Sequence, residues 1–460
     1  MPGKQMYNAF ALYTETFQNL EHISVEWDRR KKCFRYIPLS SGKIWLWVWN
    51  IFFIIGFVNF GLSFLGLLRC IIFEKLVLSN FNIITVVTEM ILIIFGIGIT
   101  LALIFYGRDF VDGWNRFVAA EMQSNIFLRR IIKFCNNYKP HGFKKIDKDK
   151  KNNAAAKTSD LPGLASQHFV KMFAIYPFIL IPSSMVLNLD ISYFFINEFE
   201  THLPIKYQTL FVVISSVFIR LPIVSIGIIE ICRLFALLII LLTSCLQSCN
   251  NLLSRYLNEL VGDRNWHQLF EWKESKLIPE NRKFLQAILK CMSEYQQHVI
   301  IQSSIAPLQE CCTSILLAAG LVASIIFNTA TLRTYQVLPF FFYIYIPSVA
   351  VMTIVMIGLL VPFAQMTNET SGKVMVECKM RLNFKEMVGK RGLLKRMIRS
   401  IRPVNLYAGL FGFRFFYIQR STKVKFYATI MIYTTNALVG IPQHIFHEID
   451  KKVLYNHNRD

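Results

Sequence analysis

The chain has 460 residues, of which 54% are hydrophobic, 14% aromatic and only 17% charged. A soluble chain of this length carries charge on about a quarter of its residues, so a string of water-soluble domains is excluded, and the apolar residues come in long runs. The net charge of +21 does not point to nucleic acid, because the basic residues gather in alternate gaps between the runs, which is a membrane-topology pattern.

Residues 1–43 are polar and mixed in charge, with a basic cluster Arg29, Arg30, Lys31 and Lys32. They lack the apolar core of a cleaved signal, so the first span is expected to be its own insertion signal. An α-helix needs about 20 apolar residues to cross the hydrocarbon. Seven stretches reach that length: 44–72, 81–106, 169–191, 209–246, 305–332, 340–363 and 426–446. The first opens with Trp45, Trp47 and Trp49, as an interfacial aromatic belt requires. The fourth is too long for one straight crossing and contains Arg220, Glu230 and Arg233. It reads as one span that continues as a helix below the membrane, with a kink at Pro222.

Orientation follows from the Lys/Arg bias. With the N-terminus inside, segments 1–43, 107–168, 247–304 and 364–425 hold roughly 40 of the 50 basic residues. Segments 73–80, 192–208, 333–339 and 447–460 then lie outside and hold about six. The expected architecture is an all-α, seven-transmembrane helical protein, N-terminus inside and C-terminus outside. Residues 144–157 read as a lysine-rich linker. Residues 249–300 show helical stripes (Leu252, Leu253, Tyr256, Leu260; Phe284, Leu285, Ile288, Leu289, Met292), which predict helices packing beneath the membrane. The ten cysteines form no C-x-x-C pair and none falls in an outside segment, so free thiols are expected. Enzyme signatures are missing, and the nine His make no metal site; no enzyme, cofactor or metal is expected.

Charges and hydroxyls within the spans are the candidate site residues. Glu89 and Arg220 fall in the outer halves of the second and fourth spans, where a lone charge costs about 2.5–3.5 kcal/mol. They read either as an ion pair or as the polar floor of a ligand pocket. Ser183, Ser184, Ser215, Tyr343 and Tyr345 lie in outer halves as well; they suit a small, mostly apolar ligand or ordinary helix packing. The sequon Asn368-Glu369-Thr370 falls inside and is expected to stay unglycosylated.

The segment 401–446 is the most informative. A break at Pro403 is followed by Gly409 and Gly412, an aromatic cluster and a basic step, which reads as a broken last helix: a cytoplasmic half, a turn, then a membrane half. That membrane half carries Thr429, Tyr433, Thr434, Thr435 and Asn436. Such polarity faces a water-filled path or packs helix against helix. Tyr433, Asn436 and Gly440 share one helical face at i, i+3 and i+7.

The run Arg402-Pro403, Gly409, Phe411, Phe413, then Ser421-Thr422, Phe426 and a final span bearing Tyr433 resembles the gustatory receptor branch of the insect chemoreceptor superfamily. The match at motif level covers only the last stretch; the span count, orientation and length cover the rest. The family ends in T-Y, five apolar residues, then Q-F. Here Ile432 replaces the Thr, and Val439 and Gly440 stand at the Gln and Phe positions, the pattern of a divergent arthropod member. The resemblance implies a plasma-membrane tetramer, homomeric or formed with related receptor subunits, acting as a non-selective cation channel gated by a small-molecule tastant. In that family the seventh span lines the pore, extensions of the fourth to seventh helices form a cytoplasmic anchor, and the ligand pocket opens outward among the second to sixth spans. Thr429, Tyr433, Asn436, Val439 and Gly440 are then pore or gate candidates, with Val439 closing the pore by dewetting. A G-protein-coupled receptor needs the opposite orientation and lacks its D/E-R-Y and N-P-x-x-Y signatures here; a secondary transporter lacks its internal repeat.

Overall fold

The computed structural model describes residues 3–73, 80–137, 161–186, 188, 190–200, 204–262, 278–334, 343–382, 396, 399–400 and 402–440. The lysine-rich stretch 144–157, the start of the sixth expected span at 340–342, the end of the seventh at 441–446 and the tail 447–460 lie outside the described residues.

Helices dominate. After α1 (Lys4–Thr16) comes one rod made of α2 (Trp45–Trp49), a π-wound stretch (Asn50–Phe60) and α3 (Gly61–Phe73). Then follow α4 (Asn80–Asn137), α5 (Leu161–Val186), α6 (Ile191–Glu200) and α7 (Ile205–Ser215). A π-turn (Ser216–Arg220) leads into α8 (Leu221–Gly262), followed by α9 (Ile278–Thr334), α10 (Tyr345–Leu382) and α11 (Arg420–Gly440). Two antiparallel hairpins interrupt this helical order: β1 (Val25–Asp28) with β2 (Cys33–Tyr36), and β3 (Tyr407–Leu410) with β4 (Phe413–Tyr417).

Among the described residues, six helical segments are long and apolar enough to cross a membrane: Trp45–Leu68, Val86–Ala120, Leu161–Val186, Leu210–Asn258, Met292–Arg333 and Ile346–Met380. The chain is therefore a helical membrane protein. The expected seventh span forms a helix, α11, of 21 residues. At 1.5 Å per residue it is about 31 Å long, but Arg420, Lys423, Lys425 and its hydroxyls keep it out of the apolar six.

The fourth stretch behaves as its length demands. Leu210–Asn258 is helical over 49 residues, about 74 Å at the standard rise, more than twice a hydrocarbon core of about 30 Å. Pro222 has no N–H, and its ring crowds the carbonyl one turn back; the wider π-turn at Ser216–Arg220 lies directly before it. Leu234, Ala236 to Leu242, Cys245, Leu246 and Cys249 are all buried, and so are Thr243, Ser244, Gln247 and Ser248 between them, so α8 is a central helix enclosed on every side. Asn250 ties it to α10: its Nδ2 donates to the Phe363 carbonyl at 3.0 Å and its Oδ1 accepts from Thr367 at 2.9 Å. The striped region beyond it is helical up to Gly262 and again from Ile278. Among the described residues, Cys33, Cys232, Cys245, Cys249, Cys311, Cys312 and Cys378 are free thiols.

Two expectations are corrected. The third span, placed at 169–191, begins at Leu161 and ends at Val186. Asn188 takes a positive φ of 50°, and Asp190 starts a new helix: its Oδ2 accepts the Tyr193 N–H at 3.2 Å, an N-cap bond. Residues 1–43, read only as a polar segment, contain a packed unit. Met6, Phe10, Tyr13 and Phe17 of the α1 region, with Ile23, Val25, Trp27 and Phe34, are buried. Phe10 stacks on Trp27 at 4.4 Å, and Phe34 meets Phe110 and Trp114 of α4 at 5.9 and 5.8 Å. Asn115 closes the contact by exchanging two hydrogen bonds with the Phe34 backbone, at 2.9 and 3.2 Å. Burial pushes the Tyr13 phenol up to about 12, an effect that Arg233 opposes. Of the three tryptophans at the head of the first span, Trp45 and Trp49 are exposed as a belt requires, whereas Trp47 is buried.

Candidate functional site along the last helix and a buried charged pair

Residues 402–406, leading into the second hairpin, are held down bond by bond. The Tyr295 hydroxyl donates to the Arg402 carbonyl at 3.3 Å, Val404 N–H to Ser371 Oγ at 2.7 Å, and Leu406 N–H to Asn368 Oδ1 at 2.9 Å. The Arg402 and Pro403 side chains point into solvent. The expected turn within a broken helix is instead the β3–β4 hairpin. Phe411 and Gly412 both take positive φ, 49° and 91°, the primed turn whose twist suits paired strands. At Gly409 a Cβ would lie 2.2 Å from the Phe413 carbonyl oxygen, so a side chain does not fit. The helical half expected before this turn lies mostly outside the described residues. Phe411 and Phe413 are exposed.

Helix α11 starts on a reciprocal cap. Thr422 Oγ1 accepts the Gln419 N–H at 3.0 Å, and the Gln419 carbonyl accepts the Thr422 N–H at 2.9 Å. Ser421 beside it is exposed, and Phe426 packs on the core. Both ends are fastened to α9. Arg414 Nε reaches Glu310 at 2.9 and 3.1 Å just before the helix, and Arg333 donates to the Leu438 carbonyl near its end. In the middle, the Tyr427 hydroxyl donates to the Ile354 carbonyl of α10 at 3.3 Å.

This fastening leaves α11 two-faced. Ile430 and Thr434 are buried toward α9 and α10, flanked by half-buried Lys423, Phe426, Tyr427, Ala437 and Leu438. Opposite them run Lys425, Thr429, Ile432, Asn436 and Val439, at steps of four, three, four and three residues, which trace one helical stripe. All but half-buried Thr429 are exposed, Val439 by 81%. Tyr433 and Gly440 stand at the flank of this stripe, both exposed. Thr429 and Thr435 return their hydroxyls to the carbonyls of Lys425 and Met431. Sequence reasoning named Thr429, Tyr433, Asn436, Val439 and Gly440 but not Lys425, whose place four residues before Thr429 was the signal.

The charges in the spans pair differently from expectation. Arg220 does not bond Glu89. It makes a two-pronged pair with Asp190, Nη2–Oδ1 at 2.5 Å and Nε–Oδ2 at 3.0 Å, with the two side chains 3% and 4% exposed. The guanidinium also lies 4.9 Å from the Tyr193 ring centre and 3.4 Å from Ser216 Oγ. Asp190 wins because it caps α6 in the loop beside the π-turn, where both oxygens face the guanidinium fork. The signal was an Asp opening an apolar helix. Glu230 and Arg233 do pair locally, at 3.4 Å, and Arg233 also donates to the Glu21 carbonyl of the N-terminal unit.

The remaining pocket candidates make local bonds or none that is described. Ser183 donates to the Ile179 carbonyl of its own helix at 2.6 Å, Ser184 is half-buried and Ser215 is buried. Tyr343 donates to the Thr331 carbonyl at 3.2 Å, and Tyr345 opens α10. Among the described residues, no hydrogen bond joins the side chains of Ser183, Ser184, Ser215 and Tyr343 to one another. No family model matches the chain, and no match to it is found among curated proteins.

Proposed function

We propose that the chain is a subunit of a plasma-membrane, ligand-gated channel of the gustatory receptor type, opened from outside by a small molecule. Four copies, identical or related, surround an axis onto which each α11 turns its stripe of Lys425, Thr429, Ile432, Asn436 and Val439. The observation that carries this reading is that stripe: a helix anchored at both ends to its own bundle yet presenting Thr and Asn side chains away from it. Lipid is a poor environment for such groups, whereas water in a pore suits them. The length of α11, close to one hydrocarbon thickness, supports a seventh crossing. The long continuations of α8, α9 and α10 beyond the apolar segments supply the material for an anchor. Val439, at the far end of the stripe, is the gate: a ring of four isopropyl groups excludes water from a narrow pore.

The test is ligand-evoked current in cells expressing only this chain, screened against sugars, bitter compounds and other small tastants. Val439→Ser is expected to raise the resting leak several-fold at unchanged surface expression. A resting conductance equal to that of the parent removes Val439 from the gate. A structure of the assembly with α11 facing lipid instead of an axis removes the channel reading altogether.

A further inference from the structure

The stripe proposed to line the pore carries a charge, and it is positive. Lys425 is exposed on the same face as Thr429 and Asn436, one turn before the first hydroxyl. Nothing in the neighbouring sequence offsets it: no Asp or Glu occurs between Glu386 and Glu448. The carboxylate nearest the start of α11 in the bonding scheme, Glu310, is taken by Arg414. Lys423, only two residues away, is differently placed. It is half-buried on the bundle side, with its ammonium 6.0 Å from the Tyr427 ring centre.

Resting on the channel reading above, we propose that Lys425 is a charge filter at the inner mouth of the pore, which disfavours divalent cations and admits small anions beside monovalent cations. Rings of Lys or Arg act in this way in anion-passing pores, as rings of Asp or Glu do for cations. Four ammoniums standing about 6 Å from the axis, in water at physiological salt, oppose a monovalent cation by roughly tenfold. A divalent cation meets the square of that factor, and an anion its inverse. The amino end of each helix adds partial positive charge of the same sign.

The experiment is reversal-potential measurement of the ligand-evoked current under bi-ionic gradients of Na+, Ca2+ and Cl−. Lys425→Gln is expected to raise the calcium-to-sodium permeability ratio about tenfold and to lower the chloride-to-sodium ratio. Lys425→Glu should carry both shifts further, and Lys425→Arg should restore the parent ratios. Lys423→Gln should change neither. Current that persists with unchanged ratios in Lys425→Gln overturns the filter and leaves the channel reading standing. Absence of current from the parent chain at the cell surface, across the tastant panel, overturns both.

Discussion

Replacing Arg220 by Ala tests the pairing that the structure substitutes for the expected one. The change strands the Asp190 carboxylate, which is only 4% exposed. Removing one partner of a buried pair costs about 3–5 kcal/mol, and losing the ring contact with Tyr193 adds about 0.5–2 kcal/mol. At about 2–4 °C per kcal/mol, the thermal midpoint of the detergent-solubilised protein should fall by roughly 10 °C or more. Asp190→Ala should cost a similar amount plus about 1 kcal/mol for the lost cap on α6. The double variant should recover part of the loss, because partners in direct contact couple by about 0.5–3 kcal/mol. Glu89→Gln separates the two pairings. A Glu89–Arg220 bridge would make it as damaging as Arg220→Ala; the observed geometry, in which Arg220 bonds Asp190 instead, makes it close to neutral. Size-exclusion chromatography after graded heating reads all four variants. A harmless Arg220→Ala, strictly additive single changes, or a severe Glu89→Gln would refute the reasoning.

Three further outcomes are expected. Gly163→Ala places a Cβ 2.6 Å from the Met6 backbone nitrogen and 2.9 Å from Gln5; this should force α1 off α5 at about 1–3 kcal/mol. Gly372→Ala in α10, with open space around it, should be neutral or gain up to about 1 kcal/mol, and the same heating assay ranks the pair. Asn368 should carry no glycan: its Nδ2 donates to the Ile418 carbonyl and its Oδ1 accepts from Leu406, so a sugar would break the tether before α11. A mobility shift on glycosidase treatment that Asn368→Gln abolishes would reverse the orientation.

The parts of this fold that apolar runs encode were legible. Six spans and the overlong fourth helix follow from the number of consecutive apolar residues against the thickness of a bilayer, a comparison that needs no tertiary detail. What escaped depends on partners far apart in the chain or on local backbone geometry. Asp190 was absorbed into the end of the third span because hydropathy averages over a window and hides one capping carboxylate. The 407–417 hairpin was read as a turn within a helix because Gly409 and Gly412 break either element; only the positive φ at Phe411 and Gly412 selects paired strands. Along α1 and its C-cap, Met6, Phe10, Tyr13 and Phe17 recur at four, three and four residues, a helical stripe that the mixed charge of the surrounding segment obscured. On α11, spacing alone placed Tyr433, Asn436 and Gly440 on one face. Which face turns from the bundle depended on the bonds to Glu310, Ile354 and Arg333, which no single-sequence pattern contains.

The N-terminal unit also has a consequence for how the protein is made. Its tethers reach far along the chain: Gln167 bonds Gln5 across 162 residues, and Arg233 bonds the Glu21 carbonyl across 212. A ribosome adding about 5–20 residues per second needs roughly 10–40 s to deliver the last of these partners. Until α5 and α8 are both made, the face of Met6, Phe10 and Tyr13 lacks part of the bundle that covers it. The α1 face is thus among the last parts of the fold to be covered although its residues are made well before α8, and a chaperone or the membrane surface is expected to shelter it until α8 is complete.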